Sequence, residues 1–211
     1  MNRILTAAAL TALATPALAH HPLDGMPMES VAHGLLSGAG HPVLGFDHLF
    51  FVALMGVAAA LCGLLARAPL AYLAAMLGGT ALTTLGVALP AQEAMIVLSL
   101  IVLGGWLASG RALATAPLLA VFAGFGLFHG AAFGAAVAGQ EGGLAAPVFA
   151  GYLLGLFAVQ YALTFAAGTA ARRLAAAGPV NARLAGAMGA GVGLFLALEM
   201  VEGPLLAAIA G

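Results

Sequence analysis

The segment His41-Pro42-Val43-Leu44-Gly45-Phe46-Asp47-His48 sets two imidazoles and a carboxylate close together, then runs straight into the uncharged stretch Leu49–Ala66. Imidazole beside carboxylate is a ligand set suited to borderline divalent metals such as nickel, cobalt and zinc. An ionisable group in hydrocarbon is costly, and it usually faces a bundle interior, a partner or a permeant ion. Residue types and spacing together point to a metal ion handled at or within a membrane. The single cysteine, Cys62, excludes an internal disulfide framework and any CxxC metal site.

Three further residues join this set by position: His129 and Glu199 in later apolar runs, and Met55, a soft thioether one or two turns beyond His48 on the same helical face. A polar segment ahead of the motif carries His20, His21, Asp24, Glu29 and His33. Its spacing matches no closed four-ligand zinc pattern, so any metal held there is expected to exchange readily.

The elements that position these groups follow from composition. Of 211 residues, 64% are hydrophobic and only 6% are Asp, Glu, Lys or Arg, against about 25% in soluble domains. Six arginines and seven carboxylates cannot cover the surface of a soluble fold this long, and there is no lysine. The net charge of −1 provides no basic field for nucleic acid.

The expected fold is all-α, a six-transmembrane helix bundle after a cleaved signal peptide. Arg3, the short apolar run Ile4–Leu13 and the small-x-small site Ala17-Leu18-Ala19 make residues 1–19 a secretory signal. Cleavage after Ala19 leaves His20 first, with its α-amine and imidazole as a chelating pair. Residues 20–42 then form a periplasmic His-bearing segment, with a short helix around Val31–Leu36 interrupted at Ser37-Gly38-Ala39-Gly40. Residues 43–211 form the membrane domain, with spans at about 43–66, 69–89, 92–109, 114–138, 145–170 and 183–208, each near the roughly 20 residues a bilayer needs.

Charge placement orients the bundle. Arg67, Arg111, Arg172, Arg173 and Arg183 fall in the first, third and fifth inter-helix loops, while Asp24, Glu29, Glu93, Glu141 and Glu202 fall on the other side. Positive residues belong inside, so the chain is expected in a bacterial inner membrane with both mature termini periplasmic. At 1.5 Å per residue, Asp47 and His48 then lie roughly 6–8 Å below the outer surface and His129 roughly 13 Å below it. Glu199, about 24 Å up from the inner side, shares that outer layer. Gly126, Gly130 and Gly134 on the fourth span, and Gly189, Gly193 and Ala197 on the sixth, are ridges suited to close helix packing. They are expected to bring His129 and Glu199 within reach of the first span.

His41 to His48 resembles the HPxxGxDH motif of the HupE/UreJ family of bacterial membrane proteins linked to hydrogenase and urease. Phe128-His129-Gly130-Ala131-Ala132 resembles the family's second motif, FHGxAHGxE. This chain has Phe133 where that motif has its second histidine, and Ala136 where it has its glutamate. The resemblance implies a secondary permease for nickel or cobalt that supplies a metalloenzyme, with hydrogenase or urease maturation proteins as partners. It implies no permanently bound cofactor, the metal being the cargo, and it makes His41, Asp47, His48 and His129 the metal-handling residues.

No nucleotide-binding loop is present, so a passive or proton-coupled path is expected rather than one driven by ATP within this chain. A membrane accessory protein that binds metal and hands it on is the alternative. An intramembrane metalloenzyme is disfavoured, since neither an HExxH pair nor a nucleophile motif appears.

Overall fold

The computed structural model describes residues 27–112, 114–138, 145–175 and 180–210. The signal-peptide reading, His20, His21 and Asp24 lie outside the described residues. Among the described residues seven helices run in order: α1 Val31–Leu44, α2 Phe46–Leu61, α3 Ala68–Thr84, α4 Gln92–Ser109, α5 Thr115–Ala138, α6 Ala146–Ala175 and α7 Val180–Ala210. Among the described residues there is no strand. The fold is all-α, and α4, α5, α6 and α7 are each long and apolar enough to cross a membrane.

The expected first span differs most. Helix α1 starts at Val31, capped by the Ser30 side chain accepting from the His33 amide, and runs through Ser37–Gly40 without the interruption expected there. Those small residues are contact surface. A Cβ at Gly34 would collide with the Val148 carbonyl, and one at Gly38 with the Tyr152 carbonyl, so α1 lies backbone to backbone on α6. Membrane helices use small residues in this way because lipid gives no hydrophobic drive for association. The break falls instead at Gly45, where α1 and α2 meet at 81° and make a fifth crossing only as a bent pair. Helix α2 then stops at Leu61, closed by Gly63 in the left-handed region with Leu64 N–H on the Ala59 carbonyl at 2.9 Å.

Helix α3, expected over 69–89, ends at Thr84. Gly86 at φ +90° sends its N–H to the Thr83 carbonyl, and Val87 N–H reaches the Leu82 carbonyl, both at 3.0 Å. That pairing is the Schellman closure. The 17 residues of α3 extend about 25 Å, a little less than a hydrocarbon core of about 30 Å.

Helix α3 packs along α5, α1 along α6, and α4 along α7, while α2 crosses α6. The Gly126–Gly130–Gly134 ridge meets the α3 backbone at Tyr72, Met76 and Thr80, so it serves the α3–α5 seam rather than the first span. On α7, Gly189 meets Leu54 of α2 and Gly193 meets Leu100 and Ile101 of α4. Arg183 Nε donates to the Ala108 carbonyl at 3.0 Å, which brings the start of α7 and the end of α4 to one end of the bundle. The core gathers Phe51, Met55, Tyr72, Met76, Phe122, Phe133 and Tyr152, all fully buried.

Candidate metal centre

The elbow at Gly45 creates the site. The last turn of α1 carries His41 and the first turn of α2 carries Asp47 and His48, so the bend sets the two imidazoles face to edge at 5.8 Å between ring centroids. Gly45 is required for space, not for unusual torsion: its backbone is extended at φ −81°, ψ 104°. A Cβ there would lie 2.8 Å from His48 Cδ2 and 3.1 Å from Asp47 Oδ1. The elbow also joins the carbonyl end of one helix to the amide end of the next. Broken membrane helices present such ends to ions, and Asp47 offsets the positive end of α2.

Helix α5 delivers His129 and, one turn on, Phe133. His48 Nδ1 and His129 Nδ1 are 2.7 Å apart. His129 Nε2 lies 3.0 Å from Ser99 Oγ on α4, and the Ser99 hydroxyl donates to the Ile96 carbonyl at 2.6 Å. Phe51 stacks on the His129 ring at 4.7 Å, with Tyr72 edge-on at 5.8 Å. His41, His48 and His129 are all buried. Asp47 is partly exposed; its Oδ1 accepts the His48 amide at 2.7 Å and lies 3.9 Å from His48 Nε2. Hydrogen bonds therefore join Asp47, His48 and His129, and ring contact sets His41 in the same layer.

Phe133 fills the space beside this layer. Its ring contacts His41 at 5.0 Å and His48 at 4.4 Å, and its carbonyl accepts the Tyr152 hydroxyl at 3.0 Å. That hydroxyl also lies 3.3 Å from His41 Nδ1. An aromatic side chain thus occupies the place of the resembling motif's second histidine.

The secondary candidates separate. Met55 is fully buried in the core. His33 caps α1, its Nδ1 accepting the Glu29 amide at 3.3 Å. Glu199 is exposed on α7, apart from the buried histidines, so the expected convergence of α7 on the first span does not extend to its carboxylate. Among the described residues, no three His, Cys, Asp or Glu side chains are gathered closely enough to hold an ion as they stand. A hydrogen bond between the His48 and His129 rings closes the cluster.

Ser99, Tyr152 and Tyr72 escaped the sequence reading because they carry no charge and match no motif. Their signal was rarity: Ser99 interrupts Val97-Leu98 and Leu100-Ile101 in the middle of an apolar run. A buried hydroxyl in such a place needs a partner.

The chain matches the family model for the HupE / UreJ protein over residues 8–196. The chain belongs to the HupE/UreJ family. It is similar to Protein HupE of Rhizobium leguminosarum bv. viciae, at 34% identity over 181 residues that span 84% of this chain and 88% of that protein. No solved structure matches it. HupE/UreJ is a transport and accessory family, associated with nickel or cobalt transport or with hydrogenase and urease accessory roles.

Proposed function

We propose that the protein is a secondary permease for a divalent transition-metal cation, nickel or cobalt, that enters from the periplasmic side. The observation that carries this reading is the buried His48–His129 pair at the elbow of a broken membrane helix, with Asp47 partly exposed beside it. Asp47 offsets the cation's lost hydration, and His41, His48 and His129 supply the imidazole environment. Six crossings, counting the α1–α2 pair and the short α3, and an inner-membrane location with periplasmic mature termini belong to the same proposal. So does capture of the ion by the histidine-bearing N-terminal segment, for delivery to hydrogenase or urease maturation proteins.

The closed geometry suits a pathway at rest. The imidazole pair stays joined at 2.7 Å, while His48 Nε2 faces Asp47 Oδ1 at 3.9 Å, a separation that suits a cation about 2.1 Å from each. Radiolabelled nickel uptake by cells tests the reading. It should fall in His48→Ala, Asp47→Asn and His129→Ala variants present at normal membrane abundance, and unchanged uptake in all three would overturn it. Metal binding without flux in proteoliposomes would identify an accessory protein instead.

A further inference from the structure

We infer that His129 is a positioning residue rather than a ligand, that Ser99 sets its tautomer, and that the cation contacts His48 Nε2 and Asp47 Oδ1. The ligand half of this inference rests on the metal-handling reading above; the tautomer half rests on hydrogen-bond geometry alone.

Ser99 Oγ carries one hydrogen, and the Ile96 carbonyl, at 2.6 Å, can only accept it. Toward His129 Nε2, at 3.0 Å, Ser99 therefore accepts, so Nε2 carries the proton. A neutral imidazole protonated at Nε2 has its lone pair at Nδ1. The 2.7 Å contact between the two Nδ1 atoms needs a proton between them, and His48 Nδ1–H supplies it. The lone pair of His48 is then on Nε2, the nitrogen 3.9 Å from Asp47 Oδ1.

Both ring nitrogens of His129 are thereby committed, one to Ser99 and one to His48. That is the arrangement of a metal-binding histidine and its orienting partner, in which the second ring nitrogen donates to a neighbouring acceptor. The acceptor here is an imidazole held by a serine instead of a carboxylate. A cation at roughly 2.0–2.2 Å from nitrogen and oxygen fits between His48 Nε2 and Asp47 Oδ1 at their observed separation. The backbone bond from the His48 amide fixes that carboxylate oxygen in place.

Tyr152 repeats the device on α6. Its hydrogen goes to the Phe133 carbonyl, so it accepts from His41 Nδ1 at 3.3 Å, which leaves the His41 lone pair on Nε2. Two hydroxyls anchored on carbonyls thus set the tautomers of both outer rings.

Nitrogen NMR of the full chain in lipid nanodiscs, with histidine rings labelled, reads this directly. Without metal, His129 should show a pyrrole-type Nε2 and a pyridine-type Nδ1, and His48 a pyrrole-type Nδ1; the opposite tautomer at His129 would overturn the inference. Added zinc ion, a diamagnetic probe, should move His48 Nε2 and leave His129 with the same nitrogen types; coordination at a His129 nitrogen would overturn the positioning role. A spectrum in which zinc moves no histidine would overturn the ligand half and the metal-handling reading with it, while the metal-free spectrum still decides the tautomers. Ser99→Ala should lower the Nε2-protonated population of His129 and weaken zinc binding by roughly 10- to 100-fold, with Ser99→Thr restoring both. His129→Asn, whose amide oxygen accepts from His48 Nδ1–H, should keep the zinc-induced shift of His48 Nε2, whereas His48→Asn should remove zinc binding at the elbow and leave only that of the N-terminal segment. Equal loss in the two would contradict the assignment.

Discussion

The elbow between α1 and α2 and the outer half of α7 carry carboxylates expected at similar depth, and the protein treats them oppositely. At the elbow, Asp47 sits against buried imidazoles from α1, α2 and α5, with Ser99 of α4 holding His129. On α7, Glu199 is exposed, and most of that helix faces outward, whereas α5 is far more deeply buried. Position along a helix sets depth, but facing direction decides whether a charge meets protein or its surroundings. A carboxylate becomes part of a site only where neighbouring helices bring partners to it.

The largest expected contrast lies between these two carboxylates. Asp47→Asn should reduce metal uptake toward background, while Glu199→Gln should leave it within about twofold, as surface changes away from partners usually do. Comparable losses in both would erase the distinction. Helix packing offers a second contrast. Gly130→Leu forces a side chain into the Met76 backbone and should sharply lower folded abundance, overpacking costing typically 1–3 kcal/mol or more. Gly191→Ala, with open space around it, should be tolerated; thermal aggregation of detergent-solubilised protein reads both.

Gly45→Ala separates site from scaffold. The added methyl presses on His48 and Asp47, so uptake should fall about tenfold, the scale of a disturbed ligand environment, with membrane abundance nearly unchanged. Equal loss of abundance would make Gly45 a folding residue only. The smallest effect concerns Phe133, which lies against His41 and His48. Phe133→His adds an imidazole to the layer and should tighten binding of nickel or zinc severalfold; unchanged affinity would show that the added ring faces away from the ion.

Much of the architecture was legible because long apolar runs without charge have few alternatives, and α4 and α5 fall almost where hydropathy puts them. His41, Asp47, His48 and His129 were legible because ionisable groups stand out in an apolar chain. The elbow was not. Pro42 and Gly45 fall at the start of the span expected over 43–66, and the small residues at 37–40 read as an interruption. In the assembled bundle those residues are the surface on which α1 meets α6, a use that helix propensity does not encode. Glu199 was misjudged because depth was inferred without direction. The hydroxyls of Ser99 and Tyr152 gained meaning only once folding set carbonyls and imidazoles on either side of them.

The central claim is that the elbow layer handles the metal. Nickel flux into proteoliposomes, measured side by side for the native protein, His48→Ala and Glu199→Gln at matched protein content, tests it most directly. The expected result is flux for the native protein and Glu199→Gln, and none above the empty-vesicle background for His48→Ala. Undiminished flux in His48→Ala would contradict the account.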